Sequence, residues 1–260
     1  MPHLLDVDHV VRKFGGLTAV NDVSLHLDKH ELVALIGPNG AGKTTLFNLL
    51  TGMVQVTSGK INLQVDDKNY DLTHKSAVQI ADLGLSRTFQ NIRLFKDLTV
   101  MDNVLTAMTN EYKENFLTTV FRLPSFYKTE KQMKEAAQKL LAIFDLTDNE
   151  QTLAKNLPYG TQRRLEIVRA LATHPQILFL DEPAAGMNPE ETADLTNLIK
   201  YIQKEFQITV LLIEHDMSLV MNLAERIYVL DQGEILATGS PAEIKANPKV
   251  VEAYLGEGDD

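Results

Sequence analysis

Five apolar residues, Leu32 to Ile36, run directly into Gly37-Pro-Asn-Gly-Ala-Gly42-Lys43-Thr44, after which Leu46, Leu49 and Leu50 fall at helical spacing. A short continuous apolar run of this kind reads as a buried strand, so the segment is strand, glycine-rich turn, helix. The turn matches the spacing G-x-x-x-x-G-K-[ST] in full. Its glycines open backbone geometries closed to other residues, letting successive N–H groups converge on one anion. The helix that follows adds the positive end of its dipole. The dinucleotide pattern G-x-G-x-x-G is absent, because these glycines run G-x-x-G-x-G. The expected ligand is a nucleoside triphosphate. Gly37, Pro38, Asn39, Gly40, Ala41 and Gly42 would cradle its phosphates, Lys43 would span the β- and γ-phosphates, Thr44 would place its hydroxyl on Mg²⁺, and Thr45 would reach the α-phosphate.

A second apolar run, Ile177 to Leu180, ends on Asp181 and Glu182. In open α/β sheets the C-terminal end of a strand is where ligands sit. Asp181 there suits a Mg²⁺ anchor, and Glu182 suits a base that orients and deprotonates an attacking water. Thr209 to Ile213 is a third buried strand, and between the two Leu195, Leu198, Ile199 and Ile202 mark an amphipathic helix, which predicts a βαβ unit in a parallel sheet. Val7, Val10 and Val11, then Val23, Leu25 and Leu27, alternate as N-terminal strands, and Arg226 to Ala237 reads as a hairpin turning at Asp231-Gln232-Gly233. Residues 91–160 lack strand-like runs; Met133, Ala137, Leu140, Leu141 and Phe144 make a helical stripe instead. The expected fold class is α/β: a P-loop NTPase (RecA-like) parallel core sheet with an N-terminal antiparallel β subdomain and an inserted α-helical subdomain. All of 1–260 would then form one domain, with about 1–90 and 161–260 as β subdomain plus nucleotide-binding core and about 91–160 as the helical part.

Composition narrows the function. Lys plus Arg number 25 against 35 Asp plus Glu, a net charge of −10, which disfavours nucleic-acid binding through a basic face. With no cysteine, thiol chemistry and Cys-ligated metals are excluded, and the seven histidines show no metal-ligand spacing in sequence. No apolar run approaches the roughly 18 residues of a membrane span, and the acidic Asp6 and Asp8 argue against an export signal.

Taken in order, Phe14, Gly37–Thr44, Gln90 in Arg87-Thr-Phe-Gln90, Leu157-Pro-Tyr-Gly160-Thr-Gln162, Ile177–Glu182 and His215 in Leu212-Ile-Glu-His-Asp-Met217 resemble the ATPase subunit of ABC transporters, over essentially the whole chain. Arg87-Thr-Phe-Gln-Asn-Ile-Arg-Leu-Phe95, Asp181-Glu-Pro-Ala-Ala-Gly-Met-Asn-Pro189, Ile213-Glu-His-Asp-Met217, Ala253-Tyr-Leu-Gly256 and the 110–135 segment are similar to the branched-chain amino acid importer type. The resemblance implies that ATP and Mg²⁺ are bound, that Phe14 stacks on adenine, that Gln90 touches Mg²⁺ and the attacking water, and that His215 grips the γ-phosphate. It also implies that Leu157, Pro158, Tyr159, Gly160 and Thr161 meet the γ-phosphate held by a second ATPase subunit. Permease subunits, reached through a helical insert bearing Phe95, Phe116, Phe121 and Phe126, and indirectly an extracytoplasmic solute-binding protein, would be the partners, at the cytoplasmic face of the membrane. The alternatives are a soluble ABC-type ATPase, or a related transporter's subunit serving another solute or lipopolysaccharide. The signature departs from the usual LSGGQ: Pro158 has neither a hydroxyl nor an N–H, Thr161 replaces Gln, and Asn188 stands where this family often has an aspartate. Slower hydrolysis or looser closure is the expected consequence.

Overall fold

The structure is a computed structural model that describes residues 3–109 and 124–255. In chain order its elements are β1 (Leu5–Phe14), β2 (Leu17–Leu27), β3 (Leu32–Ile36), α1 (Lys43–Leu50), β4 (Ser58–Val65), β5 (Lys68–Asp71), α2 (Ala77–Ala81), β6 (Leu85–Arg87), α3 (Val100–Met108), α4 (Pro124–Ile143), α5 (Tyr159–Leu171), β7 (Ile177–Asp181), α6 (Pro189–Glu205), β8 (Thr209–Ile213), α7 (Met217–Leu223), β9 (Arg226–Asp231), β10 (Glu234–Gly239), α8 (Pro241–Ala246) and α9 (Pro248–Leu255). They fall into two compact units, Met1–Arg87 with Gln176–Asp260, and Thr88–Pro175.

In the first unit an antiparallel sheet of order β2-β1-β4-β5 accompanies a six-stranded sheet of order β10-β9-β3-β8-β7-β6. The larger sheet is parallel except at its β9–β10 edge. Its strands β3, β7 and β8 are buried at every residue, which is why their sequences are apolar runs, broken only at the strand ends by Asp181 and Thr209, rather than alternating ones. Register sets Leu35 against Ile213 and Ile213 against Asp181. The loops that leave β3, β8 and β7 therefore emerge side by side at one edge of the sheet. Phe47 of α1 packs edge-to-face on Phe179 of β7, ring centroids 5.5 Å apart, and anchors the phosphate-loop helix to the sheet.

Helix α6 is the crossover between β7 and β8. It opens on a capping box, with Asn188 accepting from the Glu191 N–H and Glu191 from the Asn188 N–H, followed by Pro189 in the first turn. Leu195, Ile199 and Ile202 are buried on it. The β9–β10 hairpin turns through Gln232 and Gly233, both at positive φ (46° and 82°), as a two-residue turn matched to strand twist requires.

The second unit is helical. Ala137, Leu140 and Leu141 of α4 and Phe144 just past it are buried, with Met133 half-buried, as the stripe predicts. Helix α5 buries Leu165, Ile167, Val168 and Leu171 and contacts α3 and α4. Residues 161–175 thus belong to the helical unit, where the sequence reading had set them with the core; the chemistry of the signature marks the start of α5, and the apolar face behind it marks its company. Fully buried Asn103 on α3 accepts from the Phe95 N–H and donates to the carbonyls of Phe95 and Thr99, holding the 95–99 turn. Phe95 is exposed beside the Arg169 guanidinium. Phe116, Phe121, the Phe126 side chain and the Gly256–Asp260 tail lie outside the described residues. Among the described residues no helix is long and apolar enough to cross a membrane.

Candidate active site

The loop from Gly37 to Gly42 has a shape that glycine alone satisfies. Gly37 lies at φ 152°, and a Cβ there would sit 1.9 Å from the Leu230 carbonyl oxygen; at Gly42, φ 102°, it would sit 2.4 Å from the Ala19 carbonyl oxygen. The β9–β10 turn braces the loop from outside, through the Gly233 N–H donating to the Ala41 carbonyl. Pro38 and Ala41 are buried, whereas Asn39 and Gly40 face solvent. Lys43 is buried at the head of α1, its ammonium donating to the carbonyls of Gly37 (2.6 Å) and Pro38 (2.8 Å). Thr44 is exposed and Thr45 half-exposed on the first turn of α1. A backbone concavity with an ammonium at its base and a helix N-terminus behind it fits a polyphosphate. Phe14, at the end of β1, is 43% exposed, and the Arg12 guanidinium covers one face of its ring at 4.3 Å.

Asp181 is 3% exposed and its Oδ2 accepts from Arg87 Nη2 at 2.6 Å. Arg87 also donates to Asn48 Oδ1 (2.6 Å) on the last turn of α1 and to Thr51 Oγ1 (3.2 Å) at its C-cap. This buried pair ties β6, β7 and α1 together and holds the carboxylate at the end of the sheet, where a hard cation with oxygen ligands can be met. Sequence reasoning had quoted Arg87 without giving it a role; three residues of strand are too short a pattern to reveal which neighbour they pair with.

Glu182, the next residue, takes φ 47°, a left-handed conformation that costs a non-glycine residue about 1–3 kcal/mol and concentrates at functional sites. Its N–H donates to the Ile213 carbonyl (2.9 Å), and its Oε1 lies 2.9 Å from Nε2 of His215. The imidazole is half-exposed, the carboxylate largely covered. Behind them Glu214, 4% exposed, accepts from the Ala184 N–H at 2.8 Å and the His215 N–H at 3.1 Å. Burial pushes its carboxyl above the usual range, against the backbone N–H groups of Ala184, His215 and Asp216 that favour the charged form. Sequence reasoning passed over Glu214. Asn188, whose neutral side chain had no evident duty, is the N-cap of α6.

The first unit therefore brings together Lys43, Thr44, Thr45, Asp181, Glu182 and His215 through the neighbouring ends of β3, β7 and β8. The second unit carries Gln90 and the signature. Gln90 is exposed, and its carbonyl accepts from Arg163 Nη2 at 2.7 Å. Arg163, fully buried, also donates to the Phe89 carbonyl (2.6 Å) and to Glu166 (2.9 Å), and Glu166 in turn accepts from the N–H groups of Phe89 and Arg93. Pro158 is the N-cap of α5 with no side-chain cap, so Tyr159, Gly160 and Thr161 stand in its first turn, where backbone N–H groups lack helical partners. Leu157 is buried and Tyr159 exposed.

Strand pairing also gathers His3, His26 and Asp28, with ligating atoms within 4.8 Å of one another, an arrangement that sequence spacing does not show. The Arg226 guanidinium already bonds the Nε2 of His26 and the carboxylate of Glu31 there. The positive charge of the cluster is supplied from within.

A family model described as "ABC transporter" matches residues 20–185, and one described as "Branched-chain amino acid ATP-binding cassette transporter" matches residues 234–260. The chain is 48% identical over 254 residues to the high-affinity branched-chain amino acid transport ATP-binding protein BraF of Pseudomonas aeruginosa, and 47% identical to LivG of Escherichia coli K12, with 98% of each chain covered in both cases. Among solved structures, the ADP conformation of an ATP-binding cassette of an ABC transporter superposes with a TM-score of 0.83 at 32% identity, covering 98% of this chain and 100% of that one. A nucleotide-free cassette gives a TM-score of 0.82 at 33% identity, covering 97% and 99%. The chain belongs to the ABC transporter family, as an ATP-binding cassette and ATPase.

Proposed function

We propose that the chain is the ATP-hydrolysing subunit of an importer for branched-chain amino acids, working as one of two ATPase subunits on the cytoplasmic face of a permease. The observation that supports this most is near-complete overlap, at almost half identity, with relatives named for branched-chain amino acid transport. Phe14 stacks on adenine with its open face. The N–H groups from Gly37 to Gly42 and the Lys43 ammonium hold the phosphates, and Thr45 reaches the α-phosphate. The donor pair Thr44 and Asp181, a hydroxyl and a carboxylate of the first unit, fits Mg²⁺, which when bound neutralises charge on the phosphates. Glu182 orients the attacking water and takes its proton as the oxygen bonds to the γ-phosphorus and ADP leaves. His215 holds Glu182 in register and contacts the γ-phosphate.

The first turn of α5, Leu157 to Thr161, supplies donors to the triphosphate of the partner subunit, so that ATP favours a closed pair and ADP does not. The solute enters from an extracytoplasmic binding protein that this chain does not touch. The test is co-expression with the cognate membrane components and assay in proteoliposomes. ATP-driven leucine uptake that is abolished by Lys43→Ala supports the reading. An active ATPase that neither co-purifies with multi-span proteins nor drives uptake overturns it.

A further inference from the structure

Glu214 has none of the roles just assigned, yet this acid lies beside the site only 4% exposed. One carboxylate oxygen takes the Ala184 N–H, two residues past Glu182. The other takes the N–H of His215 itself. The same carboxylate also accepts from the Asp216 backbone. Glu214 therefore fastens the loop leaving β7 to the loop leaving β8, and each loop contributes one member of the Glu182–His215 pair. The strands set the two loops side by side, but β-pairing ends at Asp181 and Ile213, followed by the Glu182 N–H donating to the Ile213 carbonyl. Beyond that point the chain has left the sheet. Glu182 is moreover in a left-handed conformation, which persists only where surrounding bonds over-determine it.

Burying a carboxylate costs free energy that a neutral cap would avoid. A cap for a single loop end could be a serine or an asparagine. A carboxylate has two oxygens with acceptor sites on both sides and no donor of its own, so it can serve N–H groups from two loops at once. An amide cannot: its NH₂ would face one of these donors.

We infer that Glu214 is a positioning residue for hydrolysis, which clamps the loops after β7 and β8 so that Glu182 and His215 meet. The inference rests on the roles proposed for Glu182 and His215. Its test is a double-mutant cycle on the full-length chain, reading kcat and KM for MgATP in Glu214→Gln, His215→Ala and the double variant. Misplacing a reacting group by a fraction of its contact distance is expected to lower kcat about tenfold or more in Glu214→Gln. KM, set mainly by the phosphate loop from Gly37 to Lys43, stays near wild type. In the His215→Ala background, where no pair remains to be positioned, adding Glu214→Gln changes kcat by less than about twofold. An equal loss in both backgrounds, or a folded Glu214→Gln with wild-type kcat, overturns the inference. If Glu214→Gln does not fold, Glu214→Asp, which keeps the charge but is one methylene too short to reach both loops, takes its place in the same cycle. Full activity in His215→Ala alone would instead remove the role of His215, a separate failure that the cycle identifies as such.

Discussion

Oε1 of Glu182 and Nε2 of His215 lie 2.9 Å apart, joining the ends of two strands whose sequences are separated by the whole of helix α6. In the proposed mechanism the contact sets where the carboxylate places the attacking water. Glu182→Gln keeps the size and the bond to His215 but cannot accept a proton. Turnover should fall by about 10²–10⁴-fold, the range a positioned base supplies, with ATP affinity retained. Single-turnover hydrolysis beside equilibrium nucleotide binding checks both halves. Near-normal turnover would remove Glu182 from the base role.

Arg87 and Asp181 are both almost wholly buried, with side chains 7% and 5% exposed. Removing the cation takes its 2.6 Å bond from a carboxylate that is only 5% exposed, so Arg87→Met should destabilise the fold by about 3–5 kcal/mol. Urea denaturation measures it. A loss below about 1 kcal/mol, the value of a surface pair, would mean that water reaches Asp181 freely.

Gly37→Ala puts a methyl group into the Leu230 carbonyl, which belongs to the backbone of β9 and cannot swing away. The loop has to open, and its N–H groups no longer converge. Titration with a fluorescent ATP analogue should show affinity reduced by about two orders of magnitude or more, as several charge-assisted hydrogen bonds are lost together. Unchanged affinity would show that the cradle is not the binding element.

The pKa of His26 is lowered by burial first, then by Arg226 and His3. In the folded protein it resists protonation, while the unfolded chain takes up a proton at the ordinary value of 6.5. The stability this brings is present above that value and is lost as pH falls through it towards the folded value. His9, raised chiefly by its bond to Asp22, acts in the opposite sense but contributes equally to wild type and to a His26 variant. Denaturation at about pH 8 and about pH 5.5 should therefore show a smaller pH-dependent loss in His26→Asn than in wild type. An identical loss would contradict the assignment.

The parts of this molecule that were legible in sequence are those where one residue type answers one physical demand. Leu32–Ile36, Ile177–Leu180 and Val210–Ile213 are buried on both faces, and continuous apolar runs are what such burial demands. The glycines of 37–42 answer to steric limits that no side chain meets. Strands β4 and β5 were missed, because their connecting turn uses Asp66 and Asp67 at positive φ in place of the expected Asn-Gly. Partnerships set by packing were also hidden: Arg87 with Asp181, Arg163 with the carbonyls of Phe89 and Gln90, and Glu214 with two loops at once. Nothing in the local sequence of a charged residue says that it will be buried, since that depends on which strand or helix covers it.

In the proposed cycle a triphosphate is held between the Lys43 cradle of one subunit and the α5 tip of another. Sedimentation velocity of Glu182→Gln saturated with MgATP, together with its cognate membrane components, tests this most directly. The prediction is a nucleotide-dependent pairing of ATPase subunits that ADP does not support and that Lys43→Ala abolishes. Subunits that show no ATP-dependent association under these conditions would contradict it.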